Sequence, residues 1–174
     1  KRMLVLAIDS SSSTATCALV SEKGVLGEIN LNDKKQHSVL LMDLIDDLLK
    51  YNNLKIKDLD GFAISEGPGS FTGLRIGMAT VKGLSFGSKK PSVCVSSLDA
   101  LAYNISGFNG IICPIIDALR GNVYASLYKK EGDELVSLSE KECISLTDLI
   151  EKIKEKNEDR SEEHTSELQS LLSI

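Results

Sequence analysis

The segment that most constrains how this chain can fold is a glycine-rich run, GPGSFTGLRIG at residues 67–77, which follows a short apolar stretch and leads into a helical pattern. Its first two glycines permit backbone angles that other residues avoid, and the proline between them fixes one φ angle. Ser70 or Thr72 can cap a helix that begins near Phe71. This order predicts a strand, a tight loop and a helix in quick succession. The loop itself consists of Gly67, Pro68, Gly69 and Ser70.

A glycine-rich loop that opens a helix raises the question of phosphate binding, because unpaired N–H groups and the positive end of the helix dipole favour an anion. A P-loop would continue as Gly-Lys-Ser or Gly-Lys-Thr, whereas here Gly73 is followed by leucine and arginine, and the first lysine is Lys82 inside the helix. The Rossmann spacing also fails, since Gly73 comes one residue late. We therefore favour glycines that serve tight turning and close packing over a nucleotide-binding loop.

Two further segments carry a family resemblance together with this run: LVLAIDSS at residues 4–11 and PIIDALRGNVY at residues 114–124. The three segments resemble the TsaB (YeaZ) family, a subunit of the bacterial machinery that makes threonylcarbamoyladenosine next to the tRNA anticodon. Leu119 stands where this family usually has arginine, and Arg120 follows it. The resemblance implies an α/β fold of the actin-like (ribonuclease H-like) class, with a mixed sheet, helices and two lobes, the second truncated.

The chain divides by sequence into three parts. We expect an N-terminal actin-like lobe at residues 1–104, the start of an incomplete C-terminal lobe at residues 105–159, and a non-native tail at residues 160–174, which resembles a translated sequencing adapter. A weak internal repeat supports the two lobes, because Asp9 and Asp117 each end an apolar strand before a turn and another strand. In active ATPases of the superfamily such units hold phosphates, but these turns lack glycines at the phosphate-facing positions. Turn-forming aspartates are the favoured interpretation.

Composition narrows the function classes further. A formal charge of −5 and a pI near 5.1 give no basic footprint, so we expect contact with tRNA only indirectly, through a protein partner. The sequence contains no run of 18 apolar residues, so no membrane helix is predicted. The expected location is the cytoplasm. The cysteines form no metal-type pair and are predicted to be reduced and mostly buried: Cys17, Cys94, Cys113 and Cys143.

The resemblance also bears on catalysis. The catalytic paralogue of the pathway, TsaD, carries a His-x-x-x-His pair at the positions that match Ser97 and Leu101, and neither residue can replace a metal-binding imidazole. The sequence therefore predicts no catalytic residue, no cofactor and no metal. An alternative from another class stays open, namely an actin-like small-molecule kinase or ATPase that uses Asp9 as its carboxylate.

Two helical patterns look suited to association. The pattern at residues 36–51 has more apolar surface than one sheet face needs, and the one at residues 71–86 spaces Gly73 and Gly77 for close approach of another helix. Packing within the domain is the alternative for any single residue.

The resemblance implies a TsaD-type threonylcarbamoyl transferase as the partner, a TsaE-type ATPase through the complex, or a homodimer. The predicted interface comprises Leu41, Met42, Ile45, Gly73, Arg75, Ile76, Gly77, Ala79 and Thr80. On this hypothesis, Gly77→Leu abolishes partner binding and leaves the subunit folded.

The remaining pattern gives a coarse order of elements. Strands are predicted at residues 4–9, 16–21 and 25–31 as an antiparallel meander, then at 61–65, 92–95, 111–116, 123–129 and 135–139. A helix after the strand at 92–95 is predicted to open with a capping box formed by Ser96 and Asp99. A last helix is predicted from about Leu146, with Ser145 or Thr147 as its cap.

Overall fold

The computed structural model describes residues 3–32, 37–105, 110–132 and 134–156. The chain forms two compact units, Lys1–Ser97 and Leu98–Ile174. The predicted lobe boundaries at residues 104/105 and 159/160 stay predictions, and the predicted tail lies outside the described residues. In the first unit the elements are β1 (Leu4–Asp9), β2 (Ala15–Ser21), β3 (Gly24–Leu31), α1 (His37–Tyr51), β4 (Gly61–Gly67), α2 (Phe71–Ser88) and β5 (Ser92–Ser96).

The first unit contains a five-stranded mixed sheet in the order β3-β2-β1-β4-β5. The strands β1, β2 and β3 pair antiparallel, which confirms the predicted meander, whereas β4 pairs parallel with both β1 and β5. Parallel neighbours need a crossover, and α1 and α2 supply the two crossovers. The carboxyl ends of β1, β4 and β5 therefore lie at one edge, where Asp9 and the glycine-rich loop meet.

Alternating residues build the core of this unit. In β1 the residues Leu4, Leu6 and Ile8 are buried and their neighbours are only half-buried or exposed, as expected for a strand with one face toward the core. The helix α1 packs Leu41 and Ile45 into the same apolar cluster, because residues four apart share one helical face. The cluster also holds Phe62 and Ile64 of β4 and Val81 of α2.

The second unit is assembled from shorter elements. They are α3 (Ser97–Tyr103, whose first residue belongs to the first unit), β6 (Ile115–Asp117), β7 (Asn122–Ala125), β8 (Tyr128–Glu131), β9 (Glu134–Ser137), β10 (Glu142–Ser145) and a helix α4 at residues 146–156. An antiparallel sheet has the order β10-β7-β6, and β8 and β9 form a separate hairpin. The N–H group of Asp148 donates to Ser145 Oγ at 3.1 Å, so Ser145 caps α4, one of the two caps predicted.

Several predictions for residues 96–145 were wrong. Of the strand predicted at residues 111–116, only the last two residues lie in a strand, β6 (Ile115–Asp117). The strand predicted at residues 123–129 is divided into two strands with different partners, since β7 pairs with β6 and β10 whereas β8 pairs with β9. The strand β10 was not predicted at all. The capping box also fails, since Ser96 Oγ has no hydrogen-bond partner and the Asp99 carboxylate binds Tyr128 and Lys141 instead.

Candidate functional site

The glycine-rich loop is tied to the serine-rich turn at residues 10–13, which we call the serine turn. The N–H group of Ser70 donates to the carbonyl of Ser11 at 2.6 Å. Ser70 is the N-cap of α2, as predicted, because its Oγ accepts from Gly73 N at 3.4 Å and its carbonyl accepts from Leu74 N at 2.9 Å. Two of the amides that could face an anion, those of Ser70 and Gly73, are thus used inside the protein, and the loop offers a phosphate fewer donors than a P-loop does.

The glycines of α2 face the same turn. Ser10 is fully buried, and its Oγ donates to the Gly73 carbonyl at 2.9 Å. A Cβ atom on residue 73 would overlap the Ser10 carbonyl oxygen, and one on residue 77 would overlap Ser10 Oγ and lie 2.8 Å from Ile64 Cδ1. Of the two interpretations of this glycine pair, the structure supports packing within the unit. Gly77→Leu is therefore expected to disturb the fold, contrary to the hypothesis from the sequence.

The two strand-Asp-turn units have the same local geometry. Asp9 Oδ1 accepts from the N–H group of Ser11 at 2.8 Å, and Asp117 Oδ1 accepts from the N–H group of Leu119 at 2.8 Å. Asp9 Oδ1 also accepts from Ser65 Oγ at 2.7 Å. A carboxylate that accepts a hydrogen bond from the backbone N–H group two residues later is typical of a turn-forming aspartate. The structure thus favours the turn-forming interpretation and makes the kinase or ATPase alternative less favourable.

The predicted interface residues divide into two groups. Leu41, Ile45, Gly73 and Gly77 are buried in the first unit, and Ile76 and Thr80 are half-buried. Met42, Arg75 and Ala79 are exposed and remain open to a partner. Of the loop residues, Gly67 is buried and the other three are half-buried.

The outer face of α2 carries an exposed stripe that the sequence analysis only partly identified. Phe71 is 74% exposed and Phe86 is 89% exposed, which is unusual for the largest apolar side chains. We define the α2 stripe as the exposed residues Phe71, Arg75, Ala79, Lys82 and Phe86. These positions recur at intervals of three or four and so share one helical face. That spacing is present in the sequence, and the predicted interface includes Arg75 and Ala79 of the stripe but not its other three residues.

A shallow groove of about 440 Å³ runs along the first part of this stripe. Its lining residues are Phe71, Leu74, Arg75, Met78, Ala79 and Lys82. The guanidinium carbon of Arg75 lies 5.2 Å from the centre of the Phe71 ring, a cation–π distance. The groove is therefore apolar along its floor and positively charged at its rim.

The outer face of α1 is acidic by contrast. Asp43, Asp46 and Asp47 are exposed, and Lys50 Nζ lies 2.5 Å from Asp46 Oδ2. This hydrogen bond and the charge of Asp46 raise the pKa of Lys50 above its ordinary value. The two crossover helices therefore present opposite charges to solvent.

A separate polar cluster lies in the second unit. The Asp99 carboxylate accepts from Tyr128 Oη at 2.7 Å and from Lys141 Nζ at 2.7 Å. Burial opposes ionisation of Asp99, but the hydrogen bonds from Lys141 and Tyr128 outweigh it and hold the pKa of Asp99 below its ordinary value. Burial, together with the bond to Asp99, raises the pKa of Tyr128 to about 12. The hydrogen bond between Asp99 and Tyr128 holds α3 against β8.

The four cysteines are free, as predicted, but they are not mostly buried, and Cys113 is half-buried. Cys17 is buried and its pKa is raised to about 12 by that burial, whereas Cys94 and Cys143 are exposed. Both exposed cysteines lie on strands at the edge of a sheet, β5 and β10. In the described part of the chain, no three His, Cys, Asp or Glu side chains lie together as a metal site. No helix there is long and apolar enough to cross a membrane.

Comparison with known proteins agrees with this architecture. A family model described as TsaD, tRNA N6-adenosine threonylcarbamoyltransferase, matches residues 23–170. The tRNA threonylcarbamoyladenosine biosynthesis protein TsaB of Bacillus subtilis is 39% identical over 155 residues, which are 89% of this chain and 68% of that protein. TsaB of Escherichia coli is 29% identical over 150 residues, covering 85% of this chain and 64% of that protein.

The solved structure of YeaZ from Pseudomonas aeruginosa superposes with a TM-score of 0.72 at 28% identity, covering 82% of this chain and 67% of that chain. This likeness confirms the predicted actin-like (ribonuclease H-like) fold. The chain spans about two thirds of the length of these relatives. Because TsaB of Bacillus subtilis is 39% identical and the match covers more than two thirds of that protein, the chain belongs to the TsaB (YeaZ) family.

Proposed function

We propose that this chain is part of a non-catalytic scaffold subunit of the tRNA threonylcarbamoyladenosine modification complex, and that it binds and activates a TsaD-type threonylcarbamoyl transferase in the cytoplasm. The observation that carries the proposal is the α2 stripe. The inner face of α2 is already packed against Ser10, yet its outer face leaves most of the surface of Phe71 and Phe86 exposed. Exposed apolar patches with a polar rim are typical of protein interaction sites.

The carboxyl edge of the sheet supports the non-catalytic part of the proposal. The amide of Ser70 is bonded to Ser11, and Asp9 is held by Ser11 and Ser65. A carboxylate with these partners stabilises the turn that follows β1 and is poorly placed to bind a metal–phosphate complex. At the positions where the transferase resemblance implies two histidines, this chain has Ser97 and Leu101.

The net charge of the chain supports a protein rather than tRNA as the direct partner. A net charge of −5 disfavours non-specific attraction to the tRNA backbone, so contact with tRNA is indirect in this proposal. The exposed part of the predicted interface, Met42, Arg75 and Ala79, lies on the two crossover helices. A TsaE-type ATPase joins through the complex rather than through an ATP site of this chain.

The experiment is a binding and activity assay with the transferase encoded in the same genome. Titration calorimetry of the purified chain into the transferase is expected to give saturable one-to-one binding. Threonylcarbamoylation of tRNA is expected to rise when the chain is added and to be undetectable with the chain alone. Absence of binding by the folded chain would contradict the proposal. Saturable heat from Mg-ATP that is lost in Asp9→Asn would instead establish the ATPase alternative.

A further inference from the structure

The second unit repeats the strand pattern of the first, with one insertion. β6 pairs antiparallel with β7, and β7 with β10, just as β1 pairs with β2 and β2 with β3. Glu22 and Lys23 join β2 to β3, whereas the link from β7 to β10 runs over residues 126–141 and contains the hairpin of β8 and β9. The hairpin adds no strand to the sheet of β6, β7 and β10. Connections of this kind carry binding residues more often than the scaffold itself does.

The hairpin and α3 together line a cavity of about 730 Å³ in the second unit. Its apolar lining comes from Tyr103 of α3 and from Leu135 and Leu138 of the inserted segment. Tyr128, which is almost fully buried, also lines it. Small-molecule sites in proteins typically measure about 300–1,000 Å³ and combine apolar walls with a few polar groups. The cavity therefore has the size and the lining of such a site.

The inserted segment is fixed at both ends by hydrogen bonds. The N–H group of Tyr128 donates to the carbonyl of Ile112 at 2.8 Å, and that of Ile112 donates to the carbonyl of Tyr128 at 2.8 Å. The N–H group of Leu138 donates to the carbonyl of Leu127 at 2.7 Å, and that of Leu127 donates to Ser139 Oγ at 3.0 Å. The cavity is thus formed in advance, and a ligand does not have to order the hairpin.

The charged groups of the lining do not cancel. Lys141 Nζ lies 2.7 Å from Asp99 Oδ2, so these two charges balance each other. Glu140 also lines the cavity, and its carboxylate makes no ion pair within the part of the chain that the structure describes. One ammonium group against two carboxylates leaves the lining with a net negative charge. The exposed ring of Tyr103 adds an aromatic face, which attracts cations.

We propose that this cavity binds a small organic cation, namely a primary ammonium compound with an apolar or aromatic body. The ammonium group pairs with Glu140, and the body contacts Tyr103, Leu135 and Leu138. An uncharged ligand would cover part of the Glu140 carboxylate without giving it a partner, and an anion would be repelled by it. The cavity lies in the second unit and the α2 stripe in the first, so this site goes beyond the proposed function.

The test is a titration of the isotopically labelled full chain with tyramine, followed by the NMR shifts of the backbone amides. The matched probe is para-ethylphenol, which has the same aromatic body and lacks the ammonium group. Saturable shifts of amides in the hairpin and α3 are expected with tyramine, with a dissociation constant in the millimolar range, as is usual for a probe of about ten non-hydrogen atoms. Para-ethylphenol is expected to bind at least tenfold more weakly.

A pair of variants locates the charge that the probe meets. Glu140→Gln removes the charge and keeps the shape of the side chain, so tyramine binding is expected to weaken about tenfold while para-ethylphenol binding stays the same. The control is Glu134→Gln, which neutralises an exposed glutamate on β9 outside the cavity lining. Both variants are expected to melt as the wild type does, because both side chains are exposed.

Each outcome decides for or against the cation site. Tyramine binding that Glu140→Gln weakens and Glu134→Gln does not would establish it. If para-ethylphenol binds as tightly as tyramine, the cavity is an apolar site and the proposal is wrong. Shifts confined to other parts of the chain, equal effects of the two variants, or no saturable shift with tyramine would also overturn it. These measurements need no transferase, so the proposed function stands or fails separately.

Discussion

The side chain of Ser10 donates a hydrogen bond of 2.9 Å to the carbonyl oxygen of Gly73, and its own carbonyl lies where a Cβ atom of residue 73 would be. The turn after β1 is thereby locked to the first turn of α2. Gly73→Ala is expected to lower the free energy of unfolding by about 2–4 kcal/mol, because the buried backbone must shift and the hydrogen bond is lost. Urea unfolding followed by circular dichroism measures this change.

The matched control for that variant is Gly83→Ala on the same helix. A Cβ atom on residue 83 meets nothing within 4 Å, so alanine there is expected to stabilise the chain by about 0.5–1 kcal/mol through its helix propensity. Equal effects of the two substitutions would show that Gly73 does not pack against Ser10.

Gly77→Leu is expected to unfold the first unit rather than to remove partner binding selectively. Its side chain would overlap Ser10 Oγ and press on Ile64, which is almost fully buried. Overpacking of a rigid core typically costs about 1–3 kcal/mol, and leucine adds three carbon atoms beyond a Cβ that is already too close to Ser10 and Ile64. A circular dichroism melt that matches the wild type would contradict this placement of Gly77.

Leu119 adopts a φ angle of 67°, in the left-handed region that bulky residues avoid, and its side chain is 70% exposed. Leu119→Asn is expected to stabilise the chain by about 0.5–1 kcal/mol, because asparagine tolerates this backbone and no buried contact is lost. Leu26→Asn is the control, since Leu26 lies on β3 with an ordinary φ angle. The account of Leu119 is wrong if its substitution destabilises the chain as much as the control does.

The cluster around Asp99 predicts a pH dependence. The pKa of Asp99 is lower in the folded state than in the unfolded chain, so its ionised form stabilises the fold above pH 4, and this contribution is lost as the pH falls through the folded pKa. Asp99→Asn is expected to reduce the free energy of unfolding at pH 7 by about 1 kcal/mol and to have a smaller effect near pH 3.

Asp43→Asn is the control for the Asp99 experiment, because Asp43 is exposed and makes no ion pair in the described part of the chain. Urea unfolding at pH 7, 5 and 3 gives the comparison. An effect of Asp99→Asn that does not change with pH would mean that the carboxylate is not ionised in the cluster.

Much of the first unit could be predicted from the sequence because its signals are local. The alternation of Leu4, Leu6 and Ile8 identifies a strand, and the loop chemistry before Phe71 identifies a helix start. The contact of Gly73 with Ser10 could not be predicted, since it joins residues 63 positions apart and depends on how β1 and β4 align. A close-packing glycine pair looks the same in sequence whether its neighbour is a turn or another protein.

The second unit was predicted less well because its elements are short. The strand β10 has only four residues and gains its structure from antiparallel pairing with β7, which no local pattern reports. The local sequence pattern predicts that Asp99 caps a helix. Its carboxylate instead accepts hydrogen bonds from Tyr128 and Lys141, which are distant in the sequence. The exposed α2 stripe could have been found from its spacing, since Phe71 and Phe86 cannot both lie on the face that carries Gly73 and Gly77.

The most direct test of the scaffold account is the dissociation constant between the cognate transferase and Ala79→Arg, which places a large charged side chain in the middle of the α2 stripe. Ala79 is exposed, so the variant is expected to fold and melt as the wild type does. The account predicts that binding weakens at least a hundredfold, while Lys23→Glu on the β2–β3 turn binds as the wild type. Unchanged binding of a folded Ala79→Arg variant would contradict the central claim that α2 presents the transferase-binding surface.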